Sequence, residues 1–540
     1  MEGTKLAKPF GTKTSQLVDV FNKYSEDGIT LNQRSIRPAV HQLNLFPSRS
    51  QVYELVSGAC EISSRFPVDH VTFGEFCLLV TELQHRYRLG VNKPVPLSRY
   101  RKSRGGIRHV HRLGPSIFLG GSCNPTTWRQ EIALPQLKEK GISFFNPQVD
   151  EWSPELIEIE DQAKQDSEVL FFVIDHQTRA TSAMVESAYL AGCGRQLILV
   201  VNFLEENKAS PVKFCTEMAT PREIEDLARC HIYLTYLVER QGIPVFSDVS
   251  VAMKCAIKVI LEGVKVSDLT MADGAEPVKY GHCRIADKLL RMKEAFNSID
   301  IQKTGQLNLK DISLAFKVAT NEQLSTFVMD QLRAAKRNTF TFEDFLILVA
   351  EYRYVKGSLW QRIIDAFVQL PVRLLEVFGN RSTRSLPTIP EPCVRDIFLG
   401  GTCGGSTWRQ DIAIPELRKN GISYYHPVVI NWNRRYIGME ASLKDSCRLL
   451  LYVITSGTRG IGSMVEAASY IGQGCRMVLC LQHLKPGVVI EDEELTCRAI
   501  KDYNRARCYL ADIANREGVP IFDKIEEAVH CAIEIIKENS

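Results

Sequence analysis

One numerical offset limits what this chain can fold into. Adding 280 to a residue number from Ile117 to Gly194 lands on a counterpart. Gly120 gives Gly400, Cys123 gives Cys403, and Trp128-Arg129-Gln130 gives Trp408-Arg409-Gln410. Trp152 gives Trp432, Glu160 gives Glu440, Arg179 gives Arg459 and Glu186 gives Glu466. Past a loop four residues shorter in the second copy, Arg222 pairs with Arg498, Asp226 with Asp502 and Gly242 with Gly518. Solenoid repeats run to about 20–50 residues. A period this long is therefore a duplicated domain, and any chemistry it carries is present twice.

Within each copy the pattern alternates between strands and helices. Val169 to Ile174 is a short β-branched and aromatic run, which reads as a buried strand. Polar and small residues follow, Thr178-Arg179-Ala180-Thr181-Ser182, and then a helix carrying Glu186. Ile117–Leu119, Ile142–Phe145, Leu197–Val201 and Ile243–Phe246 read as the other strands, with helices between them. Strands alternating with helices specify a parallel, doubly wound sheet, with the flavodoxin-like order among the few allowed topologies. Ligands in such folds bind at the carboxyl ends of the strands, which is where Glu186 stands.

Each α/β copy is preceded by a helical stretch. The expected organisation is a helical module over 10–92, an α/β domain over 114–264, a second helical module over 283–356, an amphipathic helix and linker over 357–393, and a second α/β domain over 394–538. The helical modules resemble EF-hand pairs in outline. A calcium loop needs oxygen ligands at positions 1, 3, 5 and 12 with Gly at 6. The first module would place Lys23 and Arg34 at positions 1 and 12, which does not suit calcium. The loop from Asp300 offers Asp300, Gln302, Thr304, Gly305 and Asp311 in register and is the one weak calcium candidate. Its partner loop carries Lys336 and Arg337.

Composition narrows the function classes. The net charge of +3 gives no global attraction to nucleic acid or to a membrane surface. No apolar run reaches the roughly 20 residues of a membrane span. The 16 cysteines form no CxxC and no close Cys/His ligand pattern, so reduced thiols are expected rather than a disulfide framework. The expected location is the cytoplasm. A basic linker over 99–108 is compatible with a nuclear address or a phosphate-contacting arm, although a solvated hinge is the preferred reading.

The α/β copies resemble the nucleoside 2-deoxyribosyltransferase-like family. The matching residues are Ile117-Phe118-Leu119-Gly120-Gly121, Trp128-Arg129, Glu160 and Met184-Val185-Glu186, with Ile397-Phe398-Leu399-Gly400-Gly401, Trp408-Arg409, Glu440 and Met464-Val465-Glu466 in the second copy. The resemblance implies that Glu186 and Glu466 attack the anomeric carbon of a nucleoside. It also implies that Glu160 and Glu440 protonate the leaving base. Gly120, Gly121, Trp128, Arg129, Gly400, Gly401, Trp408 and Arg409 then become ligand-binding candidates. Two departures stand out: Phe118 and Phe398 replace the family's first-strand tyrosine, and Thr178-Arg179 and Thr458-Arg459 precede the nucleophile helix where an acid is usual. An arginine there suits an anion, so Arg179 and Arg459 point to a phosphorylated ligand. A plainer reading keeps the glutamates in ion pairs, the tryptophans in the core and Arg129 paired with Glu160. No cofactor is implied. The expected partner is a nucleoside or nucleotide. The alternative is a non-catalytic scaffold or signalling adaptor that uses the α/β domains and the helical modules for protein interaction.

Overall fold

The computed structural model describes residues 12–63, 69–88, 114–149, 153–203, 213–214, 217–278, 285–320, 322–324, 328–329, 332–333, 338–354, 395–403, 406–427 and 436–538. Trp152, Trp432, the basic linker at 99–108 and the amphipathic stretch at 357–393 lie outside the described residues. The chain divides into two compact units, one collecting both helical stretches and the other both α/β stretches.

The first helical stretch runs α1 (Thr12–Tyr24), β1 (Thr30–Asn32), α2 (Gln33–His41), α3 (Arg49–Ser63), β2 (His70–Thr72) and α4 (Phe73–Arg88). Strands β1 and β2 pair antiparallel, with Leu31 opposite Val71. Asp27 shapes the turn before β1: its carboxylate accepts hydrogen bonds from the backbone N–H of Ile29 (2.8 Å) and Thr30 (2.7 Å). Asn32 then caps α2 by accepting from the Arg34 N–H at 2.9 Å, satisfying a donor that the first helical turn leaves open.

The first α/β domain runs β3 (Ile117–Gly121), a π-helical turn over Arg129–Ala133, α5 (Leu134–Glu139), β4 (Phe144–Phe145), α6 (Leu156–Asp166), β5 (Val169–Ile174), α7 (Thr181–Gly192), β6 (Leu197–Val201), α8 (Pro221–Arg240), β7 (Val245–Phe246) and α9 (Val249–Glu262). Its five strands are all parallel in the order β4-β3-β5-β6-β7. Every residue of β5 and β6 is buried, as continuous apolar strands covered on both faces require. The expected continuous helix from Trp128 is interrupted by the π turn before Pro135, and the β4 strand is only two residues long.

The second helical stretch continues with α10 (Ile285–Ile299), β8 (Gln306–Asn308), α11 (Leu309–Thr320), β9 (Thr339–Thr341) and α12 (342–354). β8 and β9 pair antiparallel, as β1 and β2 do. Both helical stretches share one core, in which Phe21, Leu55 and Phe76 join Leu289, Phe296 and Phe345. Gly58 permits that approach, because a Cβ there would lie 2.5 Å from the Ala286 Cβ. Glu351 accepts from the Thr14 N–H at 2.9 Å, and Glu82 receives both Lys288 and Arg353.

The second α/β domain repeats the first: β10 (Arg395–Gly401), a π turn over Arg409–Ala413, α13 (Ile414–Lys419), β11 (Tyr424–Tyr425), α14 (Tyr436–Asp445), β12 (Cys447–Ile454), α15 (Ile461–Gly472), β13 (Met477–Leu481), α16 (Cys497–Arg516), β14 (Ile521–Phe522) and α17 (Ile525–Glu538). Its sheet has the same parallel order, β11-β10-β12-β13-β14. The two domains meet along α7 and α15 with pseudo-twofold symmetry. A Cβ on Gly192 would come within 2.4 Å of the Ser469 carbonyl oxygen. A Cβ on Gly472 would come within 2.3 Å of the Tyr189 carbonyl oxygen. Only glycine lets the backbones touch at this crossing. No helix among the described residues is long and apolar enough to cross a membrane.

Candidate active site

The carboxylates singled out in the sequence converge at the end of the central strand. In the first domain β5 delivers the chain to a loop ending at Ala180, which holds a left-handed conformation (φ 47°) just before α7. Gly460 does the same in the second domain with φ 65°. Glu186 lies on the second turn of α7 with its side chain 11 % exposed, and the Lys164 ammonium bonds it directly. Lys164 is on α6, one turn after Glu160, whose carboxylate is 3.9 Å from the same ammonium. The second domain places Lys444 against Glu466 in the same way, with Glu440 at 3.5 Å. The buried lysine was not singled out from the sequence. Two signals mark it: its recurrence at the 280 offset, and its position four residues after Glu160 on one helical face.

The lysine accounts for the departure at Phe118. Its ammonium lies 5.5 Å from the Phe118 ring centre, and Lys444 lies 5.0 Å from that of Phe398. A cation over an aromatic face is favourable, so Phe118 supports the group that holds Glu186. Burial pushes the Glu186 carboxyl well above the usual carboxylate range, against the pull of Lys164. Lys164 itself is pushed up, because the attraction of Glu186 and Glu160 outweighs its burial.

Trp128 and Arg129 take a different place from the one expected. Arg129 is fully buried and donates to the carbonyls of Leu119 (3.0 Å), Ser122 (2.6 Å) and Gly121 (3.4 Å). The Trp128 indole N–H donates to the Ser122 carbonyl at 3.2 Å, and its ring lies under the Arg129 guanidinium. Trp408 and Arg409 repeat the pattern on Leu399, Thr402 and Gly401. These residues tie down the strand-end loop from behind, with Arg129 bonded to carbonyls and not to Glu160. Gly120 and Gly121 do face the space in front of the strand end. Gly121 has φ 100°, and a Cβ there would lie 2.2 Å from the Val173 carbonyl oxygen. Gly400 and Gly401 occupy the same places beside Tyr452 and Val453.

Arg179 and Arg459 are also engaged. Arg179 bonds Glu223 at 2.7 Å, Glu217 at 3.2 Å and, across the domain boundary, Asp502 at 3.1 Å. These carboxylates hold its charge more firmly than usual despite its burial. Arg459 bonds Asp226 of the first domain at 2.8 Å and Glu493 at 2.6 Å. Ala499 stands where the first domain has Glu223, and the buried Arg459 Nε finds no partner among the described residues. Guanidiniums so enclosed by carboxylates join the two domains, which opposes their assignment to a ligand phosphate.

In front of Glu186 lies a cavity of about 670 Å³. The first domain supplies its floor with Phe118, Gly120, Glu160 and Glu186. The opposite wall is α16 of the second domain, which contributes Arg498, Lys501, Arg505 and Tyr509. The Tyr509 hydroxyl donates to Glu160 at 2.7 Å. At the second site α8 makes the reciprocal wall, but the equivalent Tyr233 hydroxyl bonds Glu466 instead. Outside it, a cavity of about 460 Å³ is lined by Arg222, Glu225, Asp226, Arg229, Glu491 and Asp492, and neither Glu440 nor Glu466 reaches it. The calcium candidate loop is closed by its own bonds. Asp300 accepts from the N–H groups of Thr304 (2.9 Å) and Gly305 (2.7 Å), and Asp311 accepts from Asn308 at 2.6 Å.

Neither a curated protein nor a solved structure matches the chain. The family model described as nucleoside 2-deoxyribosyltransferase like matches twice, at residues 114–203 and 394–484. These spans run from each first strand through the glutamate helix to the fourth strand. The chain therefore carries two tandem nucleoside 2-deoxyribosyltransferase-like regions, one in each α/β domain.

Proposed function

We propose that the first α/β domain binds a nucleoside or nucleotide and cleaves or transfers its N-glycosidic bond, with the second domain completing its site. The observation that carries this reading is the Glu186–Lys164–Glu160 cluster on the floor of the 670 Å³ cavity. In the first step a Glu186 carboxylate oxygen bonds to the anomeric carbon as the carbon–nitrogen bond breaks. The bonding pair leaves with the base, which takes a proton from the Glu160 carboxyl. Water or a second base then attacks the same carbon, gives its proton to Glu160 and releases the Glu186 carboxylate. A carboxylate suits both steps because it stabilises and then traps an oxocarbenium-like centre.

The second domain reads as a supporting partner. Glu466 and Glu186 have the same 11 % side-chain exposure, so the difference between them lies in their partners. Tyr233 adds a hydroxyl to Glu466 beside Lys444, and a nucleophile with two strong donors is less available. The test is release of free base from a panel of nucleosides and nucleotides by the full chain, with intact-mass analysis for a sugar adduct. An adduct on Glu186 is expected. No release from any substrate by pure folded protein would sink the catalytic reading in favour of a binding scaffold.

A further inference from the structure

The floor of the first cavity is built on two helices with unequal footing. α7, which carries Glu186, buries ten of its twelve residues. α6, which carries Glu160 and Lys164, buries three of eleven: Ile157, Ala163 and Lys164 itself. A helix this short draws its stability from the packing of an apolar face. Ile157 is the one large apolar side chain that α6 buries, so polar ties decide where the helix sits. The first domain holds its C-terminal end, where Arg195 donates to the carbonyls of Lys164 (2.7 Å) and Ser167 (2.9 Å).

The other end is held from the second domain. Arg516, in the last turn of α16, donates to Asp161 at 2.7 Å and to Glu158 at 2.7 Å. Its third bond, 2.7 Å to Asp512 one turn earlier on α16, aims the guanidinium at α6. Tyr509 lies seven residues before Arg516, so both fall on one face of α16. Together they grip α6, Tyr509 at Glu160 and Arg516 at the acids that flank it in sequence.

The second site is held differently. Gly438 and Ala441 stand where Glu158 and Asp161 do, and Tyr236 stands where Asp512 does. Arg240, the counterpart of Arg516, bonds Asp445 at 2.6 Å and the Tyr470 hydroxyl at 3.3 Å. Asp445 is the last residue of α14, so this tie falls at the opposite end of the helix.

From this we infer that Arg516 is a positioning residue for the first site, setting α6 from the second domain so that Glu160 and Lys164 meet Glu186. The inference rests on the reading that the reaction takes place at Glu186. Arg516 does not line the cavity, so it acts through α6 and not on the ligand. It is 26 % exposed and Asp161 is 20 % exposed, so salt reaches the clamp and weakens it.

Hydrogen exchange and steady-state kinetics on the full chain test this with Arg516→Ala and Arg516→Lys. In Arg516→Ala the amides of Leu156–Asp166 should exchange about tenfold faster, while those of α7 hold. The kcat for base release should fall about tenfold, because small displacements of positioned groups are costly, while KM and the melting temperature hold. Arg516→Lys keeps the charge without the planar fork and should recover part of the loss. Raising the ionic strength from about 0.01 M to about 1 M shortens the screening length from about 30 Å to about 3 Å. This should lower the wild-type kcat about threefold and leave that of Arg516→Ala unchanged. Unchanged α6 exchange in Arg516→Ala would overturn the inference. So would exchange that quickens equally across both domains, the mark of general destabilisation. Should Arg516→Ala fail to fold, Asp161→Asn removes one partner with little change of shape and is read by the same exchange and kcat. Faster α6 exchange with no base release from any substrate would remove the glycosidic reading and keep the clamp.

Discussion

The two α/β domains share a sheet order, a buried lysine and a glutamate on the helix after the central strand, yet each is walled by a different helix. The first site is faced by α16, with three cations and a tyrosine bonded to the second acid. The second is faced by α8, with neutralised charges and a tyrosine bonded to the nucleophile position. Neither difference lies in the domain that holds the carboxylates. Duplication inside one chain let each domain change the other's site through a single exchanged helix, while its own floor stayed the same.

The sharpest way to break the comparison is at the glutamates. Glu186→Gln keeps the shape but removes the anionic nucleophile, and base release should fall more than about a thousandfold. Glu466→Gln should stay within about twofold. Single-turnover assays with both variants decide it. Equal losses would mean that the two sites work together, and loss with Glu466→Gln alone would reverse the assignment.

Much of this was legible in the sequence because it is local or repeated. The offset exposed the duplication, the strand runs gave the sheet, the position of Glu186 followed from strand, loop and helix order, and Glu160 came from the family resemblance. What stayed hidden depends on distant pairing. Arg179 looked like an anion site because Glu223 is 44 residues away and Asp502 is 323 away. The tyrosines on α8 and α16 carry no sequence signal of their own, and only the domain crossing shows which carboxylates they meet. Trp128 and Arg129 carried the family pattern, but their task is to bind strand-end carbonyls, which no spacing rule reveals. The merger of both helical stretches into one core was likewise invisible, since each reads as a complete module.

The domain junction provides the second test. Arg179→Met would leave Glu223, Glu217 and Asp502 facing one another with their common cation gone. Breaking a buried pair from one side costs about 3–5 kcal/mol, and the partial exposure of Glu217 and Asp502 points to the lower end. Arg459→Met should cost less, about 1–2 kcal/mol, because its carboxylates are partly exposed, Asp226 keeps Arg229, and an unpaired Nε is removed. Denaturant unfolding of both variants measures the difference. Equal costs would show that Glu223 adds nothing to the junction.

The pH dependence sharpens the role of Glu186. Its carboxyl is raised by burial, and only the ionised form can attack. Base release should therefore increase with pH through a range above that of an ordinary glutamate, falling about tenfold per unit on the acid side. Lys164→Met removes the nearest cation, so the same limb should move to still higher pH. A limb in the ordinary carboxylate range, unmoved by Lys164→Met, would assign the titration to another group.

The smallest expected effect concerns the two tyrosines, and it bears most directly on how the sites diverged. Tyr509 donates to Glu160 at 2.7 Å, and Lys164 lies 3.9 Å from the same carboxylate. A hydrogen bond to a charged group contributes about 1.5–3 kcal/mol, but part is recovered when a neighbouring cation or water can replace the donor. Tyr509→Phe should therefore lower kcat by only about fivefold. KM and the melting temperature should hold, because the ring still packs and the cations of α16 stay in place. Tyr233→Phe removes the hydroxyl from Glu466 and should leave kcat unchanged, since turnover belongs to the first site. The same change in a Glu186→Gln background should also leave the protein inactive. Activity regained there would show that one hydroxyl alone had silenced the second site. A loss of stability without loss of kcat in Tyr509→Phe would make that tyrosine a structural clamp and not a positioning residue for Glu160.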